Sequence, residues 1–201
     1  MNVSRYAIAL SSSISMKGAK TMYKAKSPAA LRDMAVVGVF AAFMCIIAPW
    51  TIPVGAVPIT LATFAVYLAP ATLGWKRGSA AVAVYLMLGF VGLPVFSGFS
   101  GGIQKLVGAT GGYLVAYIPM AAVGGLMADR FKKVWAYAVG MVLGTAVLYT
   151  FGTAWYCLMS GVELIPAILT CVTPFLPGDA AKIACAAVLS SKLRPIADKF
   201  R

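Results

Sequence analysis

The chain reads as an all-α integral membrane protein: a compact bundle of six transmembrane helices with both termini in the cytoplasm. Composition is the first reason. Of 201 residues, 61% are hydrophobic and 11% charged, whereas a soluble domain carries about 45–50% apolar and about 25% charged residues. With a mean hydropathy of +0.90, the chain lacks the charge to wet a surface of its own, and its solvent is lipid. The second reason is a series of apolar segments long enough to cross. The third is the side on which the basic residues fall.

A span takes about 20 mostly apolar residues, fewer in an obliquely packed bundle. The first expected span is residues 31–50, ended by Pro49 and Pro53, which interrupt helical hydrogen bonding. The second covers 58–73 and the third 78–93, ended by Pro94, with the hinge Gly74-Trp75-Lys76-Arg77-Gly78 between them. The fourth covers 112–128, where Pro119 is a candidate break. The fifth and longest covers 134–158, and the sixth falls within 178–193. Residues 31–193 thus form the membrane domain, flanked by a basic tail at 194–201 and a longer one at 1–30. The longer tail carries several serines and no acid, a pattern shared with organelle transit peptides, and is expected to be a disordered cytoplasmic tail.

Charge orients the bundle. Arg5, Lys17, Lys20, Lys24, Lys26 and Arg32 precede the first span, and Lys76 and Arg77 lie between the second and third. Arg130, Lys132 and Lys133 lie between the fourth and fifth, and Lys192, Arg194, Lys199 and Arg201 close the chain. All fall on one side of a six-span topology, which the positive-inside rule makes cytoplasmic. The net charge of +12 therefore reflects orientation in a cell membrane, and no nucleic-acid partner is expected.

Several chemistries are excluded. The chain has no histidine, the commonest general base and metal ligand. Its carboxylates are Asp33, Asp129, Glu163, Asp179 and Asp198, and its cysteines (Cys45, Cys157, Cys171, Cys185) show no CxxC spacing. Without a nucleophile–base pair an enzyme is not expected. Without a phosphate-binding loop the chain is not its own ATPase of that type. No acid sits in mid-span to relay protons.

Two basic residues remain, Lys105 and Lys182, both at the outer side. Lys182 follows Asp179 by three residues in Pro177-Gly178-Asp179-Ala180-Ala181-Lys182, so a helix projects both from one face. Two readings stand. An ionisable pair inside a span usually faces a cavity; alternatively Asp179 caps the helix start and Lys182 snorkels to the interface. The outer connection PVFSGFSGGIQKLVGATGG, residues 94–112, is the second unusual stretch. Its glycines, including Gly98 and Gly111, allow close backbone approach, while Ser97, Ser100, Gln104 and Thr110 offer neutral hydrogen-bonding groups. Phe96, Phe99 and Tyr113 supply flat apolar surface. That mix suits a small ligand with an amide-like head and an apolar body. Gly98-x-x-x-Gly102 and Gly108-x-x-x-Gly112 equally fit helix packing. A third feature is the stripe Ala35, Gly38, Ala41, Ala42 and Cys45 on the first span, whose spacing admits close approach of a helix from this chain or another.

Four motifs in order then resemble one family. They are Val57-Pro58-Ile59-Thr60-Leu61 followed by Thr63-Phe64-Ala65; Gly92-Leu93-Pro94-Val95-Phe96-Ser97-Gly98 with Ser100-Gly101-Gly102; Gly108-Ala109-Thr110-Gly111-Gly112-Tyr113-Leu114; and Pro177-Gly178-Asp179-x-x-Lys182. The chain resembles the BioY family, biotin-specific substrate-capture (S) components of energy-coupling-factor transporters, over residues 31–193. The resemblance implies six helices, a biotin site near the outer face, and high-affinity capture of biotin for ATP-driven uptake. It implies that Asp179, Lys182, Ser97, Gly98, Thr110, Gly111, Tyr113 and Phe96 bind substrate. It also implies partners: a transmembrane coupling protein, touched through Ala35, Gly38 and Ala42, and two cytosolic ATPase subunits. ATP is used by those partners, and this chain itself needs no cofactor or metal. The sequence departs from the family at Ala62, often Gln, at Gly108-Ala109, often Gly-Pro, and at Gln104 and Lys105. The alternative function is a stand-alone carrier or facilitator for biotin or a related vitamin, which calls for an internal repeat or a broken helix pair at mid-membrane.

Overall fold

The computed structural model of the chain describes residues 28–52 and 58–199. Pro53, Val57 and the basic tail up to residue 27 lie outside the described residues. The chain divides into Met1–Arg32 and Asp33–Arg201, and apart from the first residues of α1 everything that follows concerns the second unit. It is mostly helical. In chain order the elements are α1 (Pro28–Ile47), β1 (Thr51–Ile52), β2 (Ile59–Thr60), α2 (Ala62–Leu73), α3 (Trp75–Phe90), α4 (Ile103–Val107), α5 (Gly111–Phe131), α6 (Val134–Ser160), α7 (Leu164–Cys171) and α8 (Leu176–Asp198).

The all-α expectation needs one amendment. After α1 the chain forms a two-stranded antiparallel ribbon, pairing Thr51 with Thr60 and Ile52 with Ile59. Pro49 stops α1, and the β-branched Thr51, Ile52, Ile59 and Thr60 suit an extended pair.

Six of these helices overlap the segments expected to span, with different bounds. The expected hinge at 74–78 shrinks to Gly74 alone, whose φ of 87° and ψ of 169° reverse the chain in one residue. Lys76 and Arg77 are helical. Pro119 lies inside a continuous α5, and Pro70 inside α2. The sixth expected span, 178–193, is longer at both ends and is preceded by α7 at a 50° bend. Among the described residues, α1 (from Ala30), α5 and α6 are long and apolar enough to cross a membrane, and the bent α7–α8 pair qualifies as a fourth if it is taken as one span. The apolar α2 has 12 residues, about 18 Å of helix at about 1.5 Å per residue, short of a hydrocarbon core.

The core lies between α2, α3, α5 and α6. Tyr85, Val66, Val82, Met120 and Ala116 are almost wholly buried there, and Met44 of α1 joins them. One end of the bundle is tied by ion pairs. Asp129, in the last turn of α5, accepts from the Trp75 backbone N–H at 2.9 Å and so caps α3 from another helix. Arg194 of α8, 2% exposed, pairs with Asp129 and donates to the Ala71 carbonyl at 3.0 Å. Arg77 pairs with Asp33 at 2.6 Å. The outward faces are apolar: Val39, Ile46, Met87, Val142, Leu158 and Ile165 are all exposed.

Candidate functional site

At the opposite end, a cavity opens where eight segments converge. It is lined by Pro58 and Thr60 around β2, Thr63 of α2, Ser97 of the α3–α4 connection and Lys105 of α4. Thr110, Tyr113, Leu114 and Tyr117 line it from the start of α5, and Leu148 and Tyr149 from α6. Cys171 and Phe175 close it from α7 and the bend, and Asp179 and Lys182 from α8. The cavity volume is about 60 Å³. The cavity is therefore narrow, with polar groups gathered in its wall rather than spread over it.

Asp179 and Lys182 are the centre of that cluster. Asp179 is buried and Lys182 largely so, their side chains 5% and 12% exposed. Lys182 Nζ donates to Asp179 Oδ1 at 3.0 Å, to Thr63 Oγ1 at 3.0 Å and to the Thr60 carbonyl at 2.8 Å. An ammonium has three protons, so every one is used within the protein. Tyr149 OH donates to Asp179 Oδ2 at 2.6 Å, and Thr63 makes a long contact with Oδ1 at 3.4 Å. The alternative of a helix cap and a snorkelling lysine does not hold. Asp179 lies beyond the cap position, Phe175, no cap bond is made by a side chain, and Lys182 turns inward.

A carboxylate and an ammonium in such a setting are costly to desolvate, and remain charged there only through mutual pairing and added hydrogen bonds. The fold supplies those bonds from elements more than a hundred residues away in sequence, Thr60 and Thr63. Thr60 is itself fixed: its Oγ1 accepts from the Ala62 backbone N–H at 3.1 Å, orienting the β2–α2 corner. Tyr149 belongs to a row of hydroxyls at four-residue spacing on α6. Thr145 bonds Tyr67 at 2.6 Å, Tyr149 bonds Asp179, and Thr153 bonds Tyr113 at 2.9 Å. These cross-helix bonds hold the rings that wall the cavity.

Of the residues expected at the site, Ser97, Thr110, Tyr113, Asp179 and Lys182 lie on this one cavity. Three do not line it. Phe96 is fully buried, edge-on to Tyr85 at 5.7 Å, and its ring fills the space a side chain at Gly89 would take. It belongs to the core, because an apolar ring beside a glycine finds more contact inward than toward a polar cavity. Gly98 takes φ 69° in the turn and donates to the Pro49 carbonyl at 3.0 Å. Gly111 packs against the Leu106 carbonyl so closely that no Cβ fits. Phe99 also points elsewhere, exposed beside Trp50 at 6.1 Å. Conversely, Tyr149, Tyr117, Leu148 and Phe175 were not singled out in the sequence. The Tyr113/Tyr117 and Thr145/Tyr149/Thr153 spacings of four were the available signal, since they put polar groups on one helix face.

The stripe on α1 is split by the fold. Ala41 is buried, whereas Ala35, Gly38 and Ala42 are exposed, and a Cβ on Gly38 meets nothing within 4 Å. Gly38 is thus small for no internal neighbour.

Known proteins similar to this chain include biotin transporters. The biotin transporter BioY of Thermotoga maritima is 38% identical over 167 residues, 83% of this chain and 98% of that protein. The probable biotin transporter BioY of Pyrococcus horikoshii is 32% identical over 163 residues, 81% and 96% of the two chains. The fold matches a crystal structure of the S-component for biotin from an ECF-type ABC transporter with a TM-score of 0.78 at 26% identity, covering 85% of this chain and 94% of that one. The BioY family match itself runs over residues 17–199, and the chain belongs to the BioY family.

Proposed function

We propose that this chain captures biotin at the outer face of the cell membrane, as the substrate-binding subunit of an ATP-driven energy-coupling-factor transporter. The observation that carries this is the Asp179–Lys182 pair in the wall of a narrow cavity lined otherwise by rings, hydroxyls, apolar side chains and Lys105. Biotin offers a ureido head with two donors and one acceptor, an apolar bicycle and chain, and a carboxylate. Each carboxylate oxygen accepts two hydrogen bonds. Asp179 Oδ2 accepts one from Tyr149 and keeps room for a ureido N–H. Lys182 pairs with Asp179, and Tyr113, Tyr117 and Leu148 flank the apolar body. Ser97 and Thr110 offer further bonds from the connections at the mouth. Gly98 and Gly111 shape those connections rather than touching ligand. A site that pairs both polar ends of its ligand rejects analogues lacking one, because a buried group is left unpaired.

In this reading α1, α2, α3, α5, α6 and α8 are the six spans, with α4 and α7 at the outer side. Both termini, Gly74 and the α5–α6 turn lie in the cytoplasm. The short α2 is extended by Pro58 and β2. The basic residues at that end support the orientation. Ala35, Gly38 and Ala42 form the contact with the transmembrane coupling protein, supported by the unfilled space over Gly38. Two cytosolic ATPase subunits then drive release.

The test is binding of labelled biotin to the purified chain in detergent, beside Asp179→Asn and Lys182→Ala. Saturable binding, lost in both variants, is expected. A folded protein that binds no biotin overturns the assignment. Uptake by this chain alone into vesicles without ATP favours the stand-alone carrier instead.

A further inference from the structure

Of the charged residues on the cavity, Lys105 is the one that stands outside the Asp179–Lys182 pair. Its setting on α4 is the reverse of what a solvated lysine finds. Ile103 and Val107 share one face of that helix and are 57% and 54% exposed. Lys105, between them and on the opposite face, is half-buried and lines the cavity. A lysine that snorkels turns its ammonium to the open face and lays its stem over apolar surface. Here the open face is apolar and the cation is turned inward.

The fold holds α4 in that attitude. The Gly102 N–H donates to the Gly89 carbonyl of α3 at 2.7 Å, and Trp155 Nε1 of α6 donates to the Gly108 carbonyl at 3.1 Å. Gly111 of α5 packs directly on the Leu106 carbonyl. Three helices thus clamp the short one that carries the lysine.

Charge then decides what Lys105 faces. Two lysines against one aspartate leave the cavity wall with one net positive charge. Lys182 is not its source, because its three protons go to Asp179, Thr63 and the Thr60 carbonyl. Asp179 in turn is held by Lys182, Thr63 and Tyr149. Among the described residues the Lys105 ammonium makes no ion pair or hydrogen bond. Glu163, in the α6–α7 connection, is exposed and does not line the cavity. An unpaired, partly desolvated ammonium gains most from an anionic acceptor.

We propose that Lys105 binds the carboxylate of the captured ligand, and so selects the free acid over its neutral derivatives. The proposal rests on the capture of biotin and names the residue that takes the end of the ligand remote from its ureido head. Asp179 and Lys105 then divide the two polar ends between them. A ligand without the negative charge leaves the Lys105 ammonium unpaired in the wall, which is the basis of the selection.

The experiment measures binding of biotin and of its primary amide, nearly the same shape without the charge, to the full chain in detergent. Native protein and Lys105→Met are compared, with a melting curve for each. Methionine keeps the apolar stem, and no bond within the protein is lost. Native protein is expected to bind biotin about tenfold or more tightly than the amide. Lys105→Met is expected to lose that preference through weaker binding of biotin, its affinity for the amide unchanged. Equal binding of acid and amide by native protein, or an undiminished preference in Lys105→Met, overturns the proposal while biotin capture stands. A folded native chain that binds neither ligand overturns the capture reading, and this proposal with it.

Discussion

Lys182 Nζ stands 3.0 Å from Asp179 Oδ1, one turn away on the same helix, and spends its other two protons on Thr60 and Thr63 of a distant segment. The pair is therefore both an α8-internal contact and the bolt between α8 and the β2–α2 corner. Removing one partner leaves a buried charge uncompensated, which costs about 3–5 kcal/mol, whereas replacing both with neutral groups is far milder.

Lys182→Met is thus expected to destabilise the chain strongly, and Asp179→Asn/Lys182→Met to recover most of that loss. Biotin binding is lost in both. Thermal melting beside a binding isotherm separates the two effects; a double variant as unstable as the single one contradicts the charge argument.

Tyr149→Phe removes the 2.6 Å bond to Asp179 and little volume. A bond to a charged group contributes about 1.5–3 kcal/mol, so biotin affinity is expected to fall by about tenfold or more. Calorimetric titration checks this, and an unchanged affinity would remove Tyr149 from the site.

Phe96 is a core residue beside Gly89 and Tyr85. Phe96→Ala is expected to cost about 3–5 kcal/mol of stability. Phe96→Leu keeps more volume and is expected to bind biotin with near-native affinity. Loss of binding in a stably folded Phe96→Leu protein would return this ring to the site.

Gly38→Leu fills empty space on the outside of α1. Biotin capture by the isolated chain should be unaffected, while co-purification with the coupling protein and ATP-dependent uptake fail. An intact complex with Gly38→Leu would place the coupling contact elsewhere.

Asp129→Asn weakens the Arg194 pair and the acceptor that caps α3. Its stability loss is expected to stay below that of a fully buried broken pair, about 3–5 kcal/mol, with biotin affinity unchanged because the site is at the other end. Equal loss of affinity would show that the two ends are coupled.

Membrane class, the order of the helices and membership of the BioY family were legible in the residues, because lipid imposes one composition on every exposed face and the motifs are contiguous in sequence. The Asp179–Lys182 pair was legible for the same reason: three residues of helix fix its geometry. What covers that pair was not. Thr60, Thr63 and Tyr149 reach it only through packing, and no local rule brings residues 60 and 182 to 2.8 Å.

Orientation of side chains on irregular backbone was equally hidden. Phe96 and Phe99, three residues apart, were both expected on the cavity; the turn with Gly98 and Phe99 at positive φ sends one into the core and the other outward. Likewise the small residues of α1 divide into buried Ala41 and exposed Gly38 only once a neighbour is present on one side and absent on the other. The sequence by itself determined the solvent, the segments and the chemistry available, since these follow from composition and short-range periodicity. The tertiary structure alone decided which hydroxyls and rings surround the buried charges, because that selection is made by close packing between helices far apart in the chain.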